Sequence, residues 1–135
     1  MKLLLDSSAW LAHLFAEPGA EQVNQLFDDP TTEISISALS LAEVHARLRA
    51  IAREQEWAAV WGQYAALFDQ VIAVDETIAT EVIRLRSLTA ERLPLIDGLI
   101  AATAIVHDLT LVHRDPHLAA IPSTVLPQIV LPAKV

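Results

Sequence analysis

Short apolar runs alternate with longer stretches of helical periodicity along the whole chain. This alternation is typical of βαβ units, in which parallel strands form a central sheet that helices cover. No linker, internal repeat or low-complexity tract interrupts the pattern, and 53% of the 135 residues are hydrophobic, enough for a sizeable core. We therefore predict an α/β fold built as a single domain over residues 1–135.

The pattern predicts five short strands and about seven helices. One helix is indicated by Leu41, Val44 and Leu48, apolar residues that recur every three or four positions. Pro127 marks the last strand as an edge strand because proline cannot donate a ladder hydrogen bond. The predicted strands cover 2–5, 33–37, 71–74, 109–113 and 125–131. The predicted helices cover 7–16, 20–27, 38–53, 55–68, 75–90 and 94–107, with a short helical turn from 115.

Two acidic residues lie at the carboxyl ends of predicted strands. Asp6 follows the first strand and Asp115 follows the strand 109–113. The carboxyl ends of parallel strands form the rim where ligands bind in open α/β sheets. Each acid also has a purely structural explanation, because Asp6 can cap the next helix and Asp115 can begin a turn. Ser7 and Ser8 are equally good caps, which leaves Asp6 available for another role.

Two further acidic residues lie in the first turns of predicted helices. Glu43 has a simple structural explanation, an i,i+4 pair with Arg47 on the same helix face. Asp97 can stabilise the positive end of its helix dipole. However, Asp97 lies on the apolar, small-residue stripe of that helix, with Ala101 and Ala104, and this position favours a functional role.

Together the four acids predict a metal site at one rim of the sheet. Carboxylates gathered in one place repel each other unless a divalent cation neutralises them. The chain has no cysteine, so a metal must be held by oxygen or imidazole ligands. Mg²⁺ and Mn²⁺ prefer oxygen, and such ions can activate water and bind a phosphodiester during hydrolysis. The predicted site is Asp6, Glu43, Asp97 and Asp115.

The net charge of −8 is unusual for a protein that acts on nucleic acid, because such proteins usually carry a basic surface. Net charge is a sum, however, and does not show where the charges lie. An acidic metal site also adds negative charge that the bound cation neutralises. Seven of the nine basic residues are arginines: Arg47, Arg49, Arg53, Arg84, Arg86, Arg92 and Arg114.

Four segments, in this order and spacing, resemble the PIN domain, and specifically the VapC-type toxins of bacterial type II toxin–antitoxin pairs: LLLDSSAWLA, SALSLAEVHARL, LPLIDGLIAATA and LTLVHRDPHLAAI. The resemblance covers nearly the whole chain. It implies a three-layer α/β/α fold around a mainly parallel five-stranded sheet. It also implies an Mg²⁺- or Mn²⁺-dependent endoribonuclease that hydrolyses RNA, forms a homodimer and is inhibited by a cognate antitoxin.

The resemblance also assigns roles to individual residues. Asp6, Glu43, Asp97 and Asp115 match the acidic catalytic positions, with Asp6, Asp97 and Asp115 as metal ligands and the first two the firmest. Ser8 matches the small hydroxyl residue that follows the first acid, an accessory contact. His113 stands where many relatives have threonine. It and the nearby His117 remain unassigned, and we expect a surface or packing role for both.

An aromatic stripe lies outside the predicted metal site. Trp57, Trp61, Tyr64 and Phe68 are spaced i, i+4, i+7 and i+11, so they share one helix face. Such a stripe is usually core, but these are four of only seven aromatic residues and the helix looks peripheral. A surface for a second subunit or an antitoxin helix is therefore an open alternative.

Other classes of protein fit less well. Haloacid-dehalogenase-type phosphatases also place an aspartate after the first strand, but they need a second acid where this chain has Ser8, and a later lysine. Receiver domains need a similar lysine, and the chain has only Lys2 and Lys134. A non-catalytic PIN-fold interaction module remains the main alternative. No apolar run is long enough for a membrane span and Asp6 interrupts the N-terminal run, so we expect a cytoplasmic protein.

Overall fold

The computed structural model describes residues 1–89 and 92–134 and contains one five-stranded sheet. Its order is β3-β2-β1-β4-β5, and all four strand pairings are parallel. The predicted α/β fold with a parallel sheet is therefore confirmed. The strands are β1 (Lys2–Leu5), β2 (Glu33–Ser37), β3 (Gln70–Ile72), β4 (Thr110–His113) and β5 (Gln128–Val130).

The part of the chain that the structure describes contains seven α-helices between and around the strands, with a 3₁₀ turn at Glu54–Glu56. No helix among residues 1–89 and 92–134 is both long and apolar enough to cross a membrane. The helices are α1 (Ser7–Leu14), α2 (Ala20–Asp28), α3 (Ala38–Ala50), α4 (Trp57–Ala65), α5 (Glu76–Ser87), α6 (Leu95–Val106) and α7 (Pro116–Ala119).

The boundaries differ from the predicted ones by a few residues. The edge strand β5 begins later than expected, because the N–H groups of Val125 and Leu126 bond to the carbonyl of Pro122 in a turn. Helix α4 ends at Ala65, before the end of the aromatic stripe. Helix α5 ends at Ser87, and Ala90, the predicted end, lies outside the described residues.

The central strand β1 packs apolar side chains into a core on each face of the sheet. Leu3 and Leu5 point to the face covered by α1, α3 and α4, whereas Leu4 points to the face covered by α5 and α6. All three are fully buried. A strand buried on both faces needs a continuous apolar run, which explains why β1 lacks the polar alternation of a half-exposed strand.

The aromatic stripe of α4 packs against Trp10 of α1. This contact bears on whether the stripe is part of the core or a surface for a partner. The Trp10 ring centroid lies 5.4 Å from that of Tyr64 and 5.2 Å from that of Phe68. Trp57 and Trp61 lie 6.2 and 6.1 Å from Trp10 and are half-buried, whereas the other three rings are buried. The stripe therefore belongs to the core, and an additional contact of Trp57 and Trp61 with another chain stays a prediction.

Helix α6 approaches α5 very closely at Gly98. A Cβ atom at this position would lie 2.8 Å from Val82 Cγ2, closer than side-chain carbons approach one another. The absence of a side chain thus lets the two helices pack together at the first turn of α6. This contact sets the position of Asp97, the neighbouring residue.

Candidate metal centre

Asp6 lies at the carboxyl end of β1 and is the N-cap of α1. Its Oδ2 accepts hydrogen bonds from the Ser8 backbone N–H at 3.1 Å and from the Ser8 hydroxyl at 2.5 Å. The expectation that Ser7 or Ser8 would cap this helix was therefore wrong, because the helix already begins at Ser7. Both bonds use one carboxylate oxygen, so capping leaves Oδ1 for another partner.

Ser8 links the chain segments that follow β1 and β4. Its hydroxyl donates to Asp6 and accepts the backbone N–H of Arg114 at 3.1 Å. Arg114 follows β4 directly, so this bond holds the loop after β4 against the loop after β1. The expected accessory contact of Ser8 is thus a contact with Asp6 itself.

Glu43 is held by α1, on the other side of the site. The Ser7 hydroxyl donates to Glu43 Oε1 at 2.6 Å and lies 3.0 Å from the Ser40 hydroxyl oxygen. The ion pair between Glu43 and Arg47 that would have explained Glu43 structurally is not formed among the described residues.

Asp97 and Asp115 lie side by side with His117. Asp115 caps α7, since its Oδ1 accepts the backbone N–H of His117 at 2.8 Å. His117 Nδ1 lies 3.2 Å from Asp115 Oδ1 and 3.9 Å from Asp97 Oδ2. His117, for which a surface or packing role was expected, therefore lies beside two residues of the predicted site. The sequence did contain a sign of this position, because His117 comes two residues after Asp115. An N-cap side chain accepts a hydrogen bond from the backbone two residues later, which brings that residue close to the acid.

All four acids line one open cavity of about 420 Å³ at the carboxyl ends of β1 and β4. They come from four different segments: the starts of α1 and α7, the second turn of α3 and the first turn of α6. Every residue of the predicted acidic site therefore lines this cavity, although the group of described residues whose ligand atoms all lie within 4.8 Å of one another consists of Asp97, Asp115 and His117 and includes neither Asp6 nor Glu43. The remaining lining residues are Ser7, Ser8, Leu11, Ala46, Arg47 and Ala50.

The crowding of carboxylates has a clear effect on Asp97. Its pKa is raised from the ordinary 3.8 to about 6, first by burial and then by repulsion from Asp115, Asp6 and Glu43, and nearby His117 opposes the shift. The side chain is 19% exposed. Asp97 thus keeps its negative charge near neutral pH at a cost in free energy, as expected of a group that a cation would stabilise.

Two other acids are perturbed in the same direction. Burial raises the pKa of Asp6, although its hydrogen bonds with Ser8 oppose the shift. Burial also raises the pKa of Glu43, where the Ser7 hydroxyl opposes the shift and repulsion from Asp6 adds to it. The site therefore concentrates negative charge in a partly dehydrated place.

The donor set suits a hard divalent ion. Ligand atoms of Asp97, Asp115 and His117 all lie within 4.8 Å of one another. Two ligands of one Mg²⁺, each about 2.1 Å from it, are at most roughly 4.2 Å apart, so modest side-chain rotation would complete the geometry. Carboxylates are the ligands that Mg²⁺ and Mn²⁺ prefer, and the cavity supplies four of them.

His113 does not line this cavity but supports Asp115. It is fully buried, and its Nδ1 accepts the backbone N–H of Asp115 at 3.0 Å. The ring proton therefore belongs on Nε2, which donates to Gln128 Oε1 at 2.7 Å. Gln128 Nε2 in turn donates to the Ile121 carbonyl at 2.8 Å. This confirms the packing role expected for His113, and it links the edge strand β5 to the turn that carries Asp115.

We expect Asp97→Asn to raise the free energy of unfolding of the metal-free protein by about 1–3 kcal/mol at neutral pH. The folded-state pKa of Asp97 is raised to about 6. The stability that its protonated form contributes is therefore complete below about pH 4 and is lost as the pH rises through about 6. Asparagine cannot ionise and so avoids this loss. The difference in free energy of unfolding between the variant and the wild type should therefore become smaller as the pH is lowered. The measurement is urea denaturation in EDTA at several pH values.

The matched control for this measurement is Asp75→Asn. Asp75 is an exposed N-cap, outside the cavity, that accepts the backbone N–H of Ile78 at 3.0 Å, and asparagine caps helices equally well. We expect almost no change there. If Asp97→Asn were instead less stable than wild type at neutral pH, the main role of Asp97 would be to stabilise the helix dipole of α6.

Comparison with known proteins agrees with this description. Residues 3–123 match the family described as the PIN domain. None of the curated proteins matches the chain in sequence.

Several solved structures of toxin–antitoxin complexes contain a chain with a similar fold. A chain of the VapBC2 complex of Rickettsia felis, bound to a promoter DNA fragment, is 18% identical with a TM-score of 0.77, covering 98% of this chain and 100% of that one. A chain of a Klebsiella pneumoniae toxin–antitoxin complex is 26% identical with a TM-score of 0.68, and the match covers 94% of this chain and 95% of that one. A chain of DNA-bound VapBC from Salmonella typhimurium is 18% identical with a TM-score of 0.73, and the match covers 96% of this chain and 97% of that one.

Proposed function

The chain belongs to the PIN domain family, and from this premise we propose that it is a metal-dependent endoribonuclease of the VapC toxin type. The observation that carries the proposal is the convergence of Asp6, Glu43, Asp97 and Asp115 on one cavity. Structural crowding of acids without a ligand is destabilising, so their meeting at the ligand-binding rim of the sheet favours a functional site.

Each acid has a distinct proposed role. Asp6, Asp97 and Asp115 would hold Mg²⁺ or Mn²⁺. When bound, such an ion offsets the negative charge of the phosphodiester and makes the attacking water more acidic. Glu43 would accept a proton from the attacking water, and its raised pKa brings it closer to the operating pH of a general base. The hydroxyls of Ser7 and Ser8 keep Glu43 and Asp6 in place.

The proposed partners follow from the similar structures. The Klebsiella pneumoniae structure is a toxin–antitoxin complex, and those from Rickettsia felis and Salmonella typhimurium are VapBC proteins bound to DNA. We propose that this chain likewise binds a cognate antitoxin protein, and that it works as a homodimer in the cytoplasm.

The proposal is tested with purified protein and single-stranded RNA. Cleavage should require Mg²⁺ or Mn²⁺, stop with EDTA and resume when the ion is restored, because the ion would offset part of the negative charge of the carboxylates and of the scissile phosphate. Either ion should also raise the melting temperature, since binding to the folded state stabilises it. Full cleavage in EDTA would contradict the proposal. Antitoxin binding without cleavage under any metal condition would identify a non-catalytic PIN module.

A further inference from the structure

The cavity extends beyond the acids along one face of α3. Glu43, Ala46, Arg47 and Ala50 line it at positions i, i+3, i+4 and i+7, which share a single helix face. At 1.5 Å per residue, this face continues for roughly 10 Å from Glu43 to Ala50. A metal site alone occupies only the Glu43 end, so the rest of the cavity is available for substrate.

The far end of the cavity differs chemically from the acidic end. Its surface comes from Leu11 of α1 and from Ala46 and Ala50, all apolar and mostly small. Arg47 adds a cation to the same wall. An apolar surface beside a guanidinium is unsuited to a metal ion, but it matches a nucleotide, which has a flat base, a sugar and one charged phosphate.

Arg47 is available to bind an anion. It is exposed and forms no salt bridge within residues 1–89 and 92–134, and Glu43, its nearest acid along the helix, accepts from Ser7 instead. Other arginines are committed to acids, as Arg49 is to Glu54 and Arg53 to Glu56. A guanidinium without a carboxylate partner, at the mouth of a substrate cavity, is suited to bidentate binding of phosphate.

We propose that the α3 end of the cavity is a subsite for the nucleotide next to the scissile phosphate. Arg47 binds the phosphate of that nucleotide, and the surface of Leu11, Ala46 and Ala50 contacts its sugar or base. The inference rests on the proposed nuclease function and adds to it a preference for polynucleotides over single phosphodiesters. It also places a positive contact for RNA inside an otherwise acidic chain.

The test compares Arg47→Ala with Arg49→Ala, an exposed arginine of the same helix that does not line the cavity. Fluorescence anisotropy measures binding of a labelled, mixed-sequence single-stranded RNA 12-mer in Ca²⁺, with a gel to verify that the RNA is intact. We expect Arg47→Ala to weaken binding about 10-fold, as the loss of one charge-assisted contact does. The dependence of log affinity on log salt should become shallower by about 0.7, the value for one phosphate contact on a single strand. Arg47→Lys should keep that slope, and Arg49→Ala should behave as wild type.

Cleavage in Mn²⁺ gives the second readout. Arg47→Ala should lower kcat/KM about 10-fold on the 12-mer, mainly through KM, and should leave hydrolysis of the dinucleoside monophosphate UpA unchanged because UpA has no neighbouring phosphate. Equal losses on both substrates would overturn the inference by placing Arg47 at the reacting phosphate.

Binding by Arg47→Ala equal to that of Arg49→Ala would also overturn the inference, as would a wild-type protein that binds no RNA. A wild-type protein that binds the 12-mer but never cleaves it would contradict the nuclease function, and the salt slope would still decide the role of Arg47.

Discussion

Replacing Asp97 or Asp6 by asparagine is expected to lower the rate of RNA cleavage by about 100- to 1,000-fold, because the bound ion contributes several kcal/mol to the transition state. Asparagine keeps the size of each side chain and an oxygen acceptor, so Asp6→Asn can still cap α1. What it removes is the negative charge that, in the proposed function, would hold the ion. The measurement is kcat/KM on single-stranded RNA at saturating Mn²⁺, with circular dichroism to show that both variants are folded.

Asp75→Asn is again the matched control, because Asp75 also follows a strand and caps a helix at the same end of the sheet but does not line the cavity. It should cleave RNA at the wild-type rate. If Asp97→Asn and Asp6→Asn both cleaved as fast as Asp75→Asn, the acids would have no part in catalysis and the proposed metal-site mechanism would fail.

Trp10→Ala is expected to lower the free energy of unfolding by about 3–5 kcal/mol, the usual cost of emptying a buried aromatic position. Trp10 is fully buried and contacts all four rings of the α4 stripe. Its removal opens a cavity between α1 and α4. The measurement is urea denaturation followed by far-ultraviolet circular dichroism.

Two companion variants separate the causes of this effect. Trp10→Phe should lose much less stability, because it fills most of the space and removes an indole N–H that has no hydrogen-bond partner in the described residues. Trp61→Ala should also lose less, because Trp61 is only half-buried. Equal losses for Trp10→Ala and Trp61→Ala would mean that Trp10 is not the centre of the cluster. Loss of self-association in Trp61→Ala at unchanged stability would add an interface role for that ring.

The order and type of the elements were predictable because each signal is local. The run Leu3-Leu4-Leu5 identifies a strand buried on both faces, and the spacing of Leu41, Val44 and Leu48 identifies a helix. The convergence of the acids was predictable for a different reason. Parallel strands place all their carboxyl ends at one edge, so acids at the ends of β1 and β4 and near the starts of α3 and α6 can lie close together there.

What the sequence did not show depends on contacts between distant segments. The partner of His113 is Gln128, in the edge strand, and no local pattern connects the two. Similarly, the i,i+4 spacing suggested that Glu43 pairs with Arg47, whereas the hydroxyl of Ser7 from α1 binds Glu43 instead. Spacing along one helix gives the possible neighbours of a side chain, and the competition from other elements becomes visible only in the fold.

The position of β1 has a consequence for the moment at which the protein becomes active. This central strand pairs with β4, which follows it by more than a hundred residues (Leu3 pairs with Thr110). Chains are synthesised from the N-terminus, so Asp6 and Glu43 leave the ribosome well before Asp97 and Asp115. A growing chain therefore contains only half of the site. In the proposed nuclease, the messenger RNA and the ribosome that are producing the chain would therefore be safe from cleavage until the segment that carries Asp115 has emerged.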